Sequence, residues 1–385
     1  MRALVAAVLS STISILPLQI LGASAVLVRE DLHFGAADLG FAVAAFFTAY
    51  GVTAWTAGHL SQTRGPRIGI TIGTTLSFVS LLGIAVLVHD FQTLIFFVMI
   101  GGAGNAFSQV GGNLALTSGK GMRRQGLAFG LKQSAVPTSS LIAGAVVPLI
   151  GVTFGWRWSF VVALALVPVL YALLAQPFDV GTSVRIDDNA PPTDWAMMIP
   201  VALSYGGAAG SASVLSTFLI PSAVNDGLAI ATAGSVLVIG SIVSIVTRLG
   251  VGMLVDRRGR ADLIVVAVML FIGSVGYVAL AQQSFMLFVL GAVVTFGAGW
   301  GWNGAFNHAI VHMNRRDPGK ASGLAMVGMA LGGVLWPIAF GLIVTHASFQ
   351  AAWLATGGLL LTSAFLLTFT SHMIKSRMAA ALRGS

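Results

Sequence analysis

The sequence predicts an all-α membrane protein in which twelve transmembrane helices form two six-helix, pseudo-symmetric halves. Three observations support this fold class: an apolar composition, a series of long apolar stretches, and a repeat of the first half of the chain in the second. Of the 385 residues, 56% are hydrophobic and only 8% are charged, and the mean hydropathy is +0.92. Because soluble domains carry roughly 25% charged residues, this composition indicates a chain that lies mostly in lipid.

The apolar stretches have the length that a membrane requires, about 20 residues each. The first stretch starts at Ala3, is too long for the apolar core of a signal peptide and lacks a small-residue cleavage site after it. We therefore interpret it as an uncleaved helix. The twelve predicted spans, numbered one to twelve in chain order, cover approximately residues 3–28, 36–61, 68–88, 93–117, 126–150, 156–175, 195–220, 230–255, 262–281, 284–313, 320–345 and 350–373.

The basic residues predict the orientation of these spans. With the N-terminus inside, sixteen Lys and Arg residues fall in inner loops and tails, and only Arg29 and Arg157 fall outside. The positive-inside rule then places both termini in the cytoplasm, and we expect a multi-pass protein of a bacterial cytoplasmic (inner) membrane. The basic residues behind the formal net charge of +8 are thus explained as signals of topology. The expected partner is therefore membrane lipid and not nucleic acid.

A polar segment divides the spans into two sets of six. Residues 176–194 include Pro191, Pro192 and several charged residues, which predicts a cytoplasmic linker. The N-terminal six-helix bundle then comprises residues 1–175, and the C-terminal six-helix bundle, with a short cytoplasmic tail, comprises residues 195–385.

Corresponding residues recur at a nearly constant offset in the two halves. Gly58 and Gly252 lie 194 residues apart, and Gly144 and Gly341 lie 197 apart. A constant offset across several helices indicates an internal duplication. Parallel repeats of this kind are related by an axis along the membrane normal, and their substrate binds near the bilayer midplane between the repeats.

A short polar sequence follows span eight. It reads Gly252-Met253-Leu254-Val255-Asp256-Arg257-Arg258-Gly259-Arg260. Its spacing, G-x-L-x-D-R-x-G-R, resembles the cytoplasmic loop motif of the major facilitator superfamily of transporters. The resemblance covers essentially the whole chain and is closest to the organic-anion and monocarboxylate members. It implies alternating access by rocking of the two halves, although the fold does not define the substrate.

The first half carries a variant copy of this motif, in which Gln62 stands where the family has an acid. In the family, the acid lies beside the start of a helix in the other half and helps to hold the cytoplasmic side closed. We therefore expect Asp256 to face the start of span five near Gln125 and Gly126, because a helix N-terminus attracts negative charge. Gln62 would face the start of span eleven without a charge. The candidate gate residues are Gly58, Gln62, Gly252, Asp256, Arg257 and Gly259.

Two basic residues, Lys132 in span five and Arg248 in span eight, lie fully within the predicted membrane region. The resemblance implies that these spans face each other, which puts the two cations at similar depth on opposing walls. No Asp or Glu lies in the core of a predicted span, so a bridging anion would compensate both cations. Two alternatives remain open. Arg248 could cap carbonyl groups or brace Asp256, although it also resembles the span-eight arginine of monocarboxylate transporters, which is linked with carboxylate binding. Lys132 could extend to the cytoplasm.

Span ten combines aromatic and amide side chains. The spacing of Trp300, Asn303 and Asn307 predicts one shared helical face, and such a surface suits a small organic molecule. The alternative is that the tryptophan packs against lipid or another helix. His308 is the candidate for proton coupling, since histidine titrates near neutral pH. A metal pair with His312 is not expected, because no carboxylate or cysteine is nearby, and we predict no metal and no cofactor.

Further polar residues inside the spans are candidates either for substrate binding or for hydrogen bonds to another helix. Two of them, Asn105 and Gln109, share a face of span four. The group consists of Gln19, Tyr50, Asn105, Gln109 and Tyr205.

These features predict a secondary active transporter that moves a small, monocarboxylate-like organic anion by symport with rocker-switch alternating access. The alternative is an efflux transporter for drugs or hydrophobic compounds. Drug–proton antiporters carry paired glycines after the span-five proline and an embedded acid, whereas this chain has Thr138-Ser139-Ser140 after Pro137 and no such acid. No nucleophile–base pair or phosphate-binding loop indicates an enzyme. We expect a monomer whose partner is a small-molecule substrate, anionic in charge.

Overall fold

The computed structural model describes residues 2–117, 125–175, 193–258, 263–314 and 316–383, and across these ranges the regular structure is helical, without β-strands. Twelve helices in these ranges are long and apolar enough to cross a membrane, which confirms the predicted fold class. They retain the numbers one to twelve. Their bounds are Arg2–Ala23, Ala36–Thr63, Pro66–Val86, Phe91–Leu116, Leu127–Phe154, Trp156–Leu174, Trp195–Asn225, Ile230–Arg257, Leu263–Leu280, Phe285–Met313, Ala321–His346 and Phe349–Ile374. Span one ends at Ala23, earlier than predicted, and a separate short helix, Ala25–Leu32, follows it.

Local chemistry explains where several spans begin. Gly65 and Gly155 have φ values of +93° and +98°, which glycine adopts without steric cost, and each reverses the chain between two spans. Pro66 then begins span three, a position where the missing N–H has no helical partner to lose. Span seven starts after Asp194, whose carboxylate accepts a hydrogen bond from the Met197 N–H at 3.3 Å.

Three spans are irregular in their interior. Span five contains the helices Gln125–Gln133 and Ala135–Val146, with a break between them, and then the π-helix Val147–Gly151. Span six is interrupted between the helices Trp156–Ala163 and Leu166–Leu174. Span ten contains Phe285–Val294, the π-helix Thr295–Gly299 and the helix Asn303–Met313. Breaks of this kind free backbone carbonyl groups, which neighbouring groups must satisfy inside a membrane, and π-helical turns occur often at functional sites.

Small residues allow the spans to approach closely. A Cβ atom at Gly206 of span seven would lie 2.5 Å from the carbonyl oxygen of Gly328 in span eleven. One at Gly104 of span four would lie 2.9 Å from the carbonyl oxygen of Gly73 in span three. In lipid, close packing through small residues provides helix association that the hydrophobic effect cannot.

Among the contacts between the first six and the last six spans are two helix pairs, in which span five packs on span eight and span two packs on span eleven. We call these contacts the 5/8 seam and the 2/11 seam. The end of the bundle that carries residues 58–67 and 252–258 is the loop-motif end. The predicted linker, residues 176–194, lies outside the described residues except for Thr193 and Asp194, so the domain boundaries stay predictions.

Candidate functional site

Arg248 of span eight is 2% exposed, and its guanidinium binds backbone carbonyl groups of two other spans. Nη1 donates to the Gln133 carbonyl of span five, and Nη2 donates to the Trp300 carbonyl of span ten at 2.8 Å. The guanidinium also lies 5.3 Å from the centre of the Trp300 ring, within the range of a cation–π contact. Its Nε atom is buried and has no hydrogen-bond partner among the described residues. Arg248 therefore caps carbonyl groups in this conformation.

Lys132 of span five is 1% exposed and begins a chain of polar contacts within the first six spans. Its amine donates to Gln109 Oε1 of span four. Gln109 Nε2 lies 3.5 Å from Asn105 Oδ1, which accepts a hydrogen bond from the Ser14 hydroxyl of span one at 3.0 Å. The lysine thus points toward span four and does not extend to the loop-motif end.

Neither of these cations has a carboxylate partner within the part of the chain that the structure describes. The ion pairs found there, Arg157–Asp31 and His89–Asp90, lie at the end of the bundle opposite the loop motifs. A buried charge that lacks an opposite charge carries a desolvation penalty of several kcal/mol, which neutral carbonyl and amide oxygens offset only in part. The burial of Lys132 and Arg248 therefore costs free energy that their present contacts do not fully offset.

A second polar cluster joins spans seven and ten. The Tyr205 hydroxyl donates to Asn307 Oδ1 at 3.2 Å and approaches Asn303 Oδ1 at 3.4 Å, and Asn307 Nδ2 donates to Asn303 Oδ1 at 2.9 Å. The Tyr205 ring packs edge-on against Trp302, with 5.2 Å between the ring centres. It packs at a tilt against Phe306, at 4.8 Å. Both asparagines keep part of their surface accessible, so they can present further donors to a small molecule.

Trp300 does not share the surface of the two asparagines in the way the spacing predicts. Its ring packs edge-on against Phe296 at 5.3 Å and beside the Arg248 guanidinium. Trp300 follows the π-helix Thr295–Gly299 and has a non-helical φ of −123°. A turn at Trp302 separates it from the helix that starts at Asn303. Because the backbone between Trp300 and Asn303 is not a regular helix, the 3.6-residue spacing does not apply across it.

The amide pairs of spans four and ten are equivalent in the repeat. Asn105 and Gln109 lie 198 residues before Asn303 and Asn307, respectively. Each pair sits at i and i+4 of one helix, and each bonds to a side chain of its own half. In the first half that side chain is the cation Lys132, and in the second half it is the neutral phenol Tyr205. The site is therefore symmetric in its amides and asymmetric in its charge.

The two clusters approach each other across the interface. A Cβ atom at Gly304 of span ten would lie 4.0 Å from Gly130 Cα of span five, and one at Gly130 would lie 2.9 Å from the Arg248 carbonyl oxygen. Arg248 also bonds to both spans. The Ser14 hydroxyl and the Gln133 carbonyl take part in this arrangement, yet the sequence analysis did not single them out. A backbone acceptor such as the Gln133 carbonyl carries no side-chain signature.

Three other candidate residues lie apart from these bonds. Gln19 of span one is buried, and its Oε1 atom has no hydrogen-bond partner among the described residues. Tyr50 of span two is buried in an apolar cluster that includes Phe107. The His308 ring stacks on His312 at 5.8 Å between centres, and its buried Nδ1 atom accepts and donates no hydrogen bond in the described ranges. Groups of three or more possible metal ligands are absent from those same ranges.

The candidate gate residues differ between the two seams. Asp256 Oδ2 accepts a hydrogen bond from the Leu127 N–H at 2.9 Å, in the first turn of span five. Gly252 is buried and Arg257 is exposed, whereas Gly259 lies outside the described residues. On the other seam Gln62 is exposed, and a Cβ atom at Gly58 would meet no atom within 4 Å.

Comparisons with known proteins agree with this architecture. A family model described as Major Facilitator Superfamily matches residues 5–199 and 201–377. No curated protein sequence matches the chain.

Two solved structures are similar in fold. The crystal structure of a D-xylose–proton symporter has a TM-score of 0.72 at 14% sequence identity and covers 95% of this chain and 96% of its own. The proton:xylose symporter XylE bound to 6-bromo-6-deoxy-D-glucose also has a TM-score of 0.72, at 16% identity, with 95% of this chain and 94% of that chain covered. At such identities the similarity concerns the fold alone. Because the family model spans nearly all of its length, this chain belongs to the major facilitator superfamily and is a transporter, not an enzyme.

Proposed function

We propose that the chain is a secondary active transporter for a small, monocarboxylate-like organic anion, which it moves by rocker-switch alternating access. The observation that carries the proposal is the presence of two fully buried cations, Lys132 and Arg248, without a carboxylate partner in the described residues. An anion between them would replace weak neutral contacts with charge-assisted hydrogen bonds, which are about twice as strong. Nothing in the structure specifically favours the alternative of drug efflux.

The polar residues around the cations form the proposed wall of the binding site. Arg248 Nε is unpartnered in the described ranges and provides a further donor. Asn303 and Asn307 retain accessible surface next to Gly304, which approaches span five. The complete proposed set is Lys132, Arg248, Trp300, Asn303, Asn307, Asn105, Gln109, Tyr205, Gln19 and Tyr50.

The proposed transport is symport with a proton, and His308 is the proposed proton-coupling residue. Its imidazole is partly buried near the inner end of span ten, and its Nδ1 atom lacks a partner in the described ranges. Histidine changes its charge near neutral pH. The two solved structures with a similar fold are those of proton symporters, which is compatible with this coupling.

The proposed setting is a bacterial inner membrane, with a monomer as the working unit. The loop-motif end is the proposed cytoplasmic side, because basic residues such as Arg64, Arg67 and Arg257 concentrate there. Both termini then lie in the cytoplasm, and the proposed halves are residues 1–175 and 195–385.

Substitution of the two cations tests the proposed substrate class. In proteoliposomes and in thermal-shift binding assays, the wild-type protein should recognise lactate or benzoate over xylose and over a lipophilic cation. Lys132→Gln and Arg248→Gln should each weaken carboxylate binding about 10- to 100-fold, because each removes a charged hydrogen bond worth roughly 1.5–3 kcal/mol.

Met329→Gln is the matched control, since Met329 lies 197 residues after Lys132 and packs near Tyr50 in the apolar cluster. It should change carboxylate binding less than about threefold. Normal carboxylate transport by both cation variants, or selective binding of xylose or the cation by the wild type, would exclude the anion site.

A further inference from the structure

The Gln133 carbonyl of span five can accept a hydrogen bond from Arg248 because Pro137 leaves it without a donor in its own helix. In an α-helix the carbonyl of residue i accepts from the N–H of residue i+4, and residue i+4 for Gln133 is Pro137, which has no N–H. The helix breaks at this point, between Gln133 and Ala135. The freed Gln133 carbonyl accepts from Arg248 Nη1 instead.

The second acceptor of Arg248 also belongs to an interrupted helix. The Trp300 carbonyl lies between the π-helix Thr295–Gly299 and the helix that begins at Asn303, and Trp300 itself has a non-helical φ of −123°. Its carbonyl accepts from Arg248 Nη2 at 2.8 Å. One guanidinium thus caps two carbonyl groups at two helix breaks, and it does so from two separate nitrogen atoms held in a rigid planar fork, whereas a lysine ammonium offers its donors from a single nitrogen.

These bonds connect the first six spans to the last six. Between residues that the structure describes, two hydrogen bonds cross from one set to the other: Leu127 N–H to Asp256, and Arg248 to the Gln133 carbonyl. Both lie toward the loop-motif end of the 5/8 seam. Gly130, one helical turn before Ser134, leaves the room for span eight, since a Cβ atom there would lie 2.9 Å from the Arg248 carbonyl oxygen.

We infer that Pro137 is a positioning residue for alternating access. By leaving the Gln133 carbonyl without a helical donor, it supplies the acceptor through which Arg248 holds the loop-motif end of the 5/8 seam closed. This bond must break each time that end opens, whatever the substrate is. If Arg248 is also the anion ligand, which rests on the proposed function, an anion and the Gln133 carbonyl compete for the same guanidinium.

Pro168 of span six provides a matched control. It is exposed, and the Leu164 carbonyl that it frees accepts locally from the Val167 N–H at 3.0 Å. Pro168→Ala therefore restores a helical N–H as Pro137→Ala does, without touching a contact between the two sets of spans.

Distances between spin labels on the intact protein in nanodiscs test the inference. The chain has no native cysteine, so Arg67→Cys and Met313→Cys, both exposed and near the loop-motif end in different halves, can carry the labels. Without substrate, Pro137→Ala should raise the ratio of open to closed populations at this end about tenfold, which corresponds to about 1.4 kcal/mol. Arg248→Lys should shift the ratio in the same direction, and Pro168→Ala should leave it unchanged.

An unchanged or smaller ratio in monodisperse Pro137→Ala protein would overturn the inference. If that variant does not fold, an unchanged ratio in Arg248→Lys would overturn it equally.

Lactate or benzoate binding separates this test from that of the proposed function. Pro137→Ala keeps both cations and removes the competing acceptor, so its carboxylate affinity should equal or exceed that of the wild type, while Arg248→Gln should lose it. A wild type that binds no carboxylate would contradict the anion site, and the response of the seam to Pro137→Ala would still decide the role of the proline.

Discussion

The 5/8 seam and the 2/11 seam occupy equivalent places in the repeat, yet they differ at the loop-motif end. On the 5/8 seam, Asp256 accepts from Leu127 N–H at 2.9 Å and Arg248 bonds to the Gln133 carbonyl. On the 2/11 seam, Gln62 is exposed, and Cβ atoms at Gly58 and Gly323 would meet no atom within 4 Å. Directional polar bonds therefore close one seam at this end, and none of the described residues does the same for the other.

Toward the opposite end, the two seams resemble each other. A Cβ atom at Gly144 would lie 3.0 Å from the Gly234 carbonyl oxygen on the 5/8 seam, and one at Gly341 would lie 2.6 Å from the Ala36 carbonyl oxygen on the 2/11 seam. These contacts rest on small residues and backbone, which pack closely without directional bonds. The seams are thus alike at this end, and the differences between them lie elsewhere.

The repeat offset shows how the difference arises in the sequence. The residue 194 positions before Arg248 is Ala54, and the residue 197 positions after Lys132 is Met329. Both pack with Tyr50 in an apolar cluster beside spans two and four. The 2/11 seam therefore lacks the two cations as well as the acid, and the bundle concentrates charge on one side of its pseudo-symmetry axis.

The largest expected effect that tests the comparison comes from the acid itself. Asp256→Asn should raise the open-to-closed ratio at the loop-motif end about 5- to 30-fold, because a partly buried carboxylate at a helix N-terminus contributes roughly 1–2 kcal/mol. Gln62→Ala should change the ratio less than about twofold. Spin-label distances measure both, and Gln62→Asp sharpens the comparison, since a new acid at the 2/11 seam should favour the closed state. Equal shifts for Asp256→Asn and Gln62→Ala would contradict a one-sided closure.

A smaller effect is expected at Asn303 and Asn307 of span ten, which lie outside the two seams. In this cysteine-free chain, a hydrophilic thiol reagent should label Asn303→Cys, and a bound carboxylate should slow the labelling about fivefold. Trp302→Cys is the control, because Trp302 is 0% exposed and should remain unreactive in its native packing. If Asn303→Cys is never labelled, and the carboxylate changes nothing, this face does not line the substrate site.

The smallest effect is expected at the opposite end, where the seams do not differ. Asp31 accepts hydrogen bonds from Trp156 Nε1 at 3.1 Å and Arg157 Nη1 at 2.9 Å, and these lower the pKa of its carboxyl group, the Trp156 bond first. A carboxyl group whose pKa is lower in the folded than in the unfolded protein stabilises the fold at pH values above its unfolded-state pKa. This contribution is lost as the pH falls through the folded-state pKa.

Asp31→Asn should therefore lower the melting temperature slightly at pH 7, because an exposed pair contributes less than about 1 kcal/mol to the free energy of unfolding. The difference in melting temperature from the wild type should become smaller as the pH falls. It should leave the open-to-closed ratio at the loop-motif end unchanged. A melting-temperature difference from the wild type that grows as the pH falls would contradict the assigned sign.

The sequence by itself determined the architecture and the placement of charge. Twelve apolar stretches of membrane length, the loop motif at Gly252 and the constant repeat offset were sufficient for the fold, because lipid permits few alternatives to a bundle of spanning helices. The resemblance of the loop motif to the family, together with the repeat, predicted that Asp256 faces the start of span five. The residue types within the spans predicted that Lys132 and Arg248 have no acid beside them there.

Only the tertiary structure decided the partners of those charges. Arg248 binds two backbone carbonyl groups and Lys132 binds Gln109, and neither partner follows from residue spacing. Trp300 leaves the face of Asn303 because its φ of −123° is not helical and a turn at Trp302 lies between the two residues. Residue spacing predicts which side chains share one face of a regular helix. Which neighbouring side chain donates a hydrogen bond to a freed carbonyl depends on how separate helices pack.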